Sequence, residues 1–263
     1  MKKNKDTQEY TALHLLDDQT PFAVREAFNQ LRTNLMYVST AQDGCPIFAI
    51  TSADEGEGKS NIIANLAISF SQLSKRVLII DGDMRCPTQA KIFGQDPHHV
   101  GLSELISGIE NDVIIKDVYP GLDMITSGRI PPNPSELVTS PRFVEKLNEF
   151  RSQYDIMFID FPPIGIVSDS VAVCKHISGY VFAIRSGRDS TQKVKNAIDT
   201  MVKLDAKIVG IVLNDYNIKG SGKYHYAASH YNQVNSRYAR SAEKSRYEQS
   251  AERARRNQEN GGQ

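Results

Sequence analysis

Residues 53–60, Ala53-Asp54-Glu55-Gly56-Glu57-Gly58-Lys59-Ser60, hold two glycines, a lysine and a hydroxyl at the spacing of a phosphate-binding loop. Ala53 stands where the first glycine usually does. Gly56 and Gly58 let backbone N–H groups turn toward a phosphate, and a helix starting here would add its positive dipole end. Lys59 is placed to reach the β- and γ-phosphates of a nucleotide, and the Ser60 hydroxyl to bind Mg²⁺. Asp54, Glu55, Glu57 and Asn61 complete the stretch expected around the nucleotide. Two further segments end apolar runs in carboxylates: 77–80 leads into Asp81-Gly82-Asp83-Met84-Arg85-Cys86-Pro87, and 156–159 into Asp160-Phe161-Pro162-Pro163. Magnesium takes hard oxygen ligands and keeps waters, so Ser60 with one or two of these carboxylates would suffice.

These residues need a scaffold that brings three distant segments to one edge. Strand-like runs at 46–52, 76–81, 122–126, 155–160, 180–185 and 207–214 are mostly continuous and apolar, as strands covered on both faces are. Helical patterns lie between them at 60–73, 101–107, 135–150, 168–176 and 191–204, with a further one at 21–38. Ser135 reads as the N-cap of its helix. The alternation predicts βαβ units in a doubly wound, mostly parallel α/β sheet of the P-loop NTPase kind, and ligands bind beyond the carboxyl ends of such strands. Asp81, Asp83 and Asp160 should then meet the phosphate loop.

The chain has 263 residues, with 31 Lys and Arg against 31 Asp and Glu, room for one large domain with a substantial core. Its three cysteines, Cys45, Cys86 and Cys174, form no CxxC pattern, which argues against a disulfide scaffold or a structural zinc site and suits a reducing cytosol. The apolar runs fall short of the ~18 residues of a membrane span, and no apolar signal region follows the lysines at the N-terminus. The histidines at 98, 99, 225 and 230 have no ligand-like spacing.

The balanced charge hides an asymmetry. Residues 219–263 carry 9 Lys and Arg against 4 Asp and Glu, and no Leu, Ile, Phe or Met. Such a segment cannot bury enough apolar surface to fold alone. It nevertheless holds Tyr224, Tyr226, Tyr231, Tyr238 and Tyr247, five of the 11 tyrosines. The sequence thus divides into a polar arm at 1–19, a nucleotide-binding domain at 20–218 and a disordered tyrosine-rich tail at 219–263. From residue 218 to Tyr247 a flexible chain spans roughly 30 Å, enough to bring a phenol to an active site.

The phosphate loop, the Ile79-Ile80-Asp81-Gly82-Asp83-Met84-Arg85-Cys86-Pro87 segment, Asp160-Phe161-Pro162-Pro163 and the tyrosine tail together resemble the bacterial tyrosine kinases, in particular the free-standing kinases of Gram-positive capsule and exopolysaccharide clusters. Residues 132–137 also match a family segment. The resemblance implies an ATP- and Mg²⁺-dependent protein-tyrosine kinase that autophosphorylates Tyr224, Tyr226, Tyr231, Tyr238 and Tyr247 and regulates polysaccharide synthesis and export. It implies that Lys59 and Ser60 hold phosphates and Mg²⁺, that Asp81 activates the attacking tyrosine, and that Asp83 and Asp160 complete the catalytic and metal site. It suggests Asn214 as an adenine contact. It further implies a transmembrane adaptor that recruits the kinase from the cytoplasm to the inner membrane face, a cognate tyrosine phosphatase, and ring-like self-assembly, with no nucleic acid involved. Ring assembly in the family uses Glu-x-x-Arg-x-x-Arg. Here Glu26 and Arg32 are present, and Asn29 replaces the middle arginine.

Two other classes share the fold. Partitioning and cell-division ATPases carry a signature lysine where this chain has Asp54, so that signature is absent. A purely regulatory assembly protein would explain the nucleotide site but not the tail tyrosines.

Overall fold

The computed structural model describes residues 15–39, 44–166, 169–188 and 190–216. The first 14 residues of the arm, and the tail with its five tyrosines, lie outside that range. Seven strands, β1 (Ile47–Ser52), β2 (Val77–Asp81), β3 (Ile114–Tyr119), β4 (Leu122–Ile125), β5 (Ile156–Asp160), β6 (Gly179–Arg185) and β7 (Ile208–Asn214), form one sheet in the order β3-β4-β2-β5-β1-β6-β7. Every neighbouring pair is parallel except β3 with β4.

The apolar runs feed two cores because successive strand side chains point to opposite faces. Ile47, Ala49, Leu78, Ile80, Met157 and Ile159 belong to one core, and Phe48, Ile50, Val77, Ile79, Ile156 and Phe158 to the other. On the second face lie α1 (Phe22–Ser39) and α2 (Lys59–Ser71), which contribute Leu35, Ile62, Ile63 and Leu66, with α3 (Gln89–Ile92) at their side. On the first face lie α4 (Leu102–Ser107), α5 (Pro134–Val138), α6 (Pro141–Arg151), α7 (Asp169–Ala172) and α8 (Thr191–Lys203), through Leu102, Val138, Phe143, Leu147, Val171 and Met201. The sheet is doubly wound, as the alternation predicts. Among the described residues no helix is long and apolar enough to cross a membrane.

Three local expectations are corrected. The helix expected over 135–150 is two helices, because Pro141 excludes α geometry from the residue before it. Ser140 is extended (φ −70°, ψ 148°), and its hydroxyl caps α6 by accepting from the Phe143 N–H. The first of the two begins at Pro134, so its N-cap is Asn133 and not Ser135. The helix expected over 168–176 is a short α7 followed by a 3-10 turn at Cys174–His176. Finally, β3 was not foreseen: it is a half-buried edge strand whose alternation is broken by Lys116 and by Asp117 in a left-handed conformation (φ 51°).

Candidate active site

The loop between β1 and α2 takes its shape from its glycines. Gly56 (φ 73°) and Gly58 (φ 86°) are both left-handed, and Gly58 is the N-cap of α2. The conformation needs glycine, and a Cβ on Gly58 would also meet Asn214 Nδ2 at 2.2 Å and displace that amide from the loop. Glu57 is fully buried and accepts the Asp54 N–H through Oε1 at 2.8 Å, closing the loop on itself. Lys59, first residue of α2, is buried, while Ser60 and Asn61 are partly open.

Strand register brings the carboxylates together. Asp81 ends β2 directly opposite Asp160 at the end of β5, and Asp160 in turn pairs with Ile50 of β1 just before the loop. Both Asp side chains are fully buried. Burial, and then the charge of Asp160, push the Asp81 carboxyl well above its ordinary value, although the N–H groups of Gln89 and Thr88 favour its ionised form. Burial also raises Asp160, opposed by the nearby Lys59 ammonium. Asp83, raised by burial as well, accepts N–H bonds from Cys86 and Arg85 and lies within the field of Lys59.

Lys59, Ser60, Asn61, Asp83, Glu55, Gly56 and Gly58 line a cavity of about 340 Å³ at this edge. Ile92, Pro162, Pro163 and the half-exposed Ile166 supply the apolar part of the lining. Asp81 and Asp160 sit behind the lining. The Asp160 Oδ1 and Thr88 Oγ1 atoms are buried without a hydrogen-bond partner in the protein. Unmet oxygens beside a lysine and a hydroxyl fit a hydrated cation and phosphates, because buried polar atoms otherwise find partners. Among the described residues no three His, Cys, Asp or Glu converge on a metal position. A cation here would rely on phosphate and water oxygens besides Ser60, Asp81 and Asp160, which is magnesium's habit.

Several contacts were not legible in the sequence. Gln89 joins all three motifs: its amide donates to the Ser60 carbonyl at 3.0 Å and to Asp160 Oδ2 at 2.8 Å, and its backbone N–H to Asp81 Oδ2 at 2.9 Å. Arg185 and Arg188 both donate to the Gly56 carbonyl at 3.2 Å, and Lys193 pairs with Asp54 at 2.5 Å. Asp54, where the switch ATPases carry lysine, is thus the acidic half of an ion pair. Asn214 donates to the Glu57 carbonyl at 2.9 Å, which puts it against the loop. Glu26 and Arg32 lie on α1, away from this edge. Arg32 donates to the Ser69 carbonyl of α2 at 2.5 Å, so part of its guanidinium serves the fold of its own chain.

Comparison with known proteins gives concordant matches. The CobQ/CobB/MinD/ParA nucleotide-binding domain family matches residues 48–244. The putative tyrosine-protein kinase CapB of Staphylococcus aureus is 36% identical over 228 residues, covering 86% of this chain and 98% of that protein. The tyrosine-protein kinase CpsD of Streptococcus agalactiae is 33% identical over 211 residues, 79% of this chain and 91% of that protein. Among solved structures, the chimerical protein CapA2B2 superposes with a TM-score of 0.70 at 37% identity over 76% of this chain and 88% of that one. The kinase domain of the Escherichia coli tyrosine kinase ETK gives 0.70 at 31% identity, over 75% and 77%. The septum-site protein MinD of Pyrococcus horikoshii, at 19% identity and a TM-score of 0.55, shares the fold alone.

Proposed function

The chain belongs to the bacterial tyrosine-kinase family, on the CobQ/CobB/MinD/ParA nucleotide-binding fold, and from that premise we propose that it moves the γ-phosphoryl group of ATP onto tyrosines of its own tail. The observation that carries this reading is the meeting of the glycine loop, Lys59 and the two in-register carboxylates beside a cavity with an apolar wall. The polar side suits phosphates, and the wall of Pro162, Pro163 and Ile166 suits a phenol ring.

Each residue then has a role in in-line transfer. The loop N–H groups and Lys59 cradle the phosphates and steady the charge that develops between attacking and leaving oxygens. Magnesium, when bound, would neutralise phosphate charge; Ser60, Asp81 and Asp160 are the groups proposed to hold it and its waters. A tyrosine hydroxyl, with an ordinary pKa near 10, is almost wholly protonated at neutral pH and gains from a base. Asp81 is the proposed acceptor, through Oδ1, which takes only the long 3.3 Å bond from the Asp83 N–H, whereas its other oxygen takes the N–H groups of Thr88 and Gln89. Asp83 lines the cavity and is proposed to orient the incoming hydroxyl, and Asn214, held to the loop through the Glu57 carbonyl, is the proposed adenine contact.

Tyr224, Tyr226, Tyr231, Tyr238 and Tyr247 are the proposed acceptors. The proposal extends to regulation of capsule or exopolysaccharide production, with a transmembrane adaptor that draws this cytoplasmic kinase to the inner membrane face, an opposing tyrosine phosphatase, and a ring of copies in contact through α1. Lys59→Met and Asp81→Ala should each abolish phosphotyrosine formation while the melting profile stays cooperative. Full activity in either folded variant would overturn the site assignment.

A further inference from the structure

Gln89 is fully buried on the four-residue helix α3. The identity of its amide atoms is fixed by its partners. The Ser60 carbonyl and Asp160 Oδ2 are both acceptors, so the NH₂ group must face them. That leaves Oε1 on the other side, buried and without a partner in the protein. An unmet buried acceptor is destabilising, so its retention calls for an occupant. Asp160 Oδ1 and Thr88 Oγ1, on Gln89's hydrogen-bond partner and its chain neighbour, are unmet as well. Thr88 borders the cavity and Asp160 is a proposed holder of the cation, so their partnerless oxygens suit ordered water around a divalent cation, since such waters donate to protein oxygens.

We propose that Gln89 is a positioning residue for the magnesium of this kinase. Its NH₂ group fixes one oxygen of Asp160 and the backbone of Ser60, leaving the other Asp160 oxygen free to serve the hydrated cation. The inference rests on the nucleotide reading above and goes beyond it, because it assigns the placing of the cation's protein oxygens to a residue in none of the three motifs. Gln89 also reaches across 29 residues to Ser60 and 71 to Asp160, so it can make cation binding depend on how all three segments sit.

The test is ADP binding to the full chain by calorimetry, in EDTA and across a Mg²⁺ titration, for wild type and Gln89→Leu. The backbone N–H to Asp81 survives that substitution. The expected result is that the Mg²⁺ concentration giving half of the affinity gain rises at least tenfold in the variant, while affinity in EDTA changes less than threefold. A purely structural role would lower thermal stability and leave the Mg²⁺ midpoint where it was; that result overturns the inference. Should Gln89→Leu not fold, the wild-type chain carries the test by NMR. The Gln89 side-chain amide resonance is expected to shift when Mg²⁺ is added to the ADP complex, and an unmoved resonance overturns the inference. A wild-type chain that binds ADP equally with and without Mg²⁺ would overturn the cation reading itself, and this inference with it. A Mg²⁺-dependent wild type with an equally responsive Gln89→Leu overturns the inference alone.

Discussion

At the scale of single residues, function here works against stability. Asp81 and Asp160 are buried side by side, and burial first, then the neighbouring charge, raises the Asp81 carboxyl above its ordinary value. A carboxyl with a higher pKa in the native state than in the unfolded one binds protons better when folded. Stability therefore falls as pH rises from the unfolded value through the native one, and stays reduced above it. Asp81→Asn should remove that penalty: it is expected to raise Tm at pH 7 by at least about 2 °C, the shift that ~1 kcal/mol produces in a domain of this size, while phosphotyrosine formation is lost. Calorimetric melting at pH 7 and pH 4 checks it, with the larger gain at pH 7. The loop, Asp81, Asp83 and Asp160 were legible because glycine spacing and apolar runs ending in carboxylates are local patterns. Gln89 was not, because its meaning lies in contacts with residues far along the chain.

Elements show the same division between local and distant signals. The parallel strands were readable from continuous apolar runs, whereas the break before α6 required weight on Ser140-Pro141, and β3 lacked a clean alternation. The loop after β4, at the active-site edge, is held by Glu104, buried at the start of α4. Its carboxylate accepts from Gly101 N and Ser103 Oγ at 2.9 and 3.0 Å and from Arg129 N at 3.2 Å. Burial pushes this carboxyl up, but these bonds outweigh it and hold it below the ordinary range. Glu104→Gln is expected to cost about 1–3 kcal/mol at pH 7 by setting an amide donor against backbone donors. Because the native value is depressed, the Glu104 contribution is present above the unfolded value of about 4.3 and lost as pH falls through the native one. Urea titrations at pH 7 and pH 3 should therefore converge for wild type and variant at the lower pH. On the second face, Arg32 holds α1 to α2 through Ser69. Arg32→Ala should cost about 1.5–3 kcal/mol, the range for a hydrogen bond to a charged group, measured by thermal melting. Glu26→Gln, which removes the charge and keeps the shape, should lower the mean mass in light scattering at a small cost in Tm, since Glu26 accepts a long 3.4 Å bond from Asn29 and its charge acts on the part-buried Arg32.

For the whole molecule, the charge asymmetry between tail and domain gives the proposed kinase a way to register its own activity. The tail's formal charge is +5 and that of the preceding 218 residues is −5. Each phosphotyrosine adds about −1.5 to −2 at pH 7, so five would add roughly −7.5 to −10 and reverse the tail's sign. Any electrostatic attraction of the tail to the domain would then turn to repulsion, limited by a Debye length of about 8 Å at physiological salt. Phosphorylated wild type is expected to show a smaller mass in light scattering than Lys59→Met protein at matched concentration. The difference should shrink in 1 M salt, and a form with all five tail tyrosines changed to Phe should ignore ATP. The tail's composition was plain in the sequence, but its destination was not, because a segment without a core carries no packing pattern to read.

The central claim is that the γ-phosphate goes to tyrosine and not simply to water. The most direct measurement incubates the purified chain with γ-labelled ATP and Mg²⁺, with and without a polysaccharide adaptor's cytoplasmic segment, and identifies the labelled amino acid. Label on phosphotyrosine, mapped to residues 224–247 and absent from Lys59→Met, is the predicted result. ATP consumed to free phosphate with no phosphotyrosine under either condition would contradict the account and leave a nucleotide switch on the same fold.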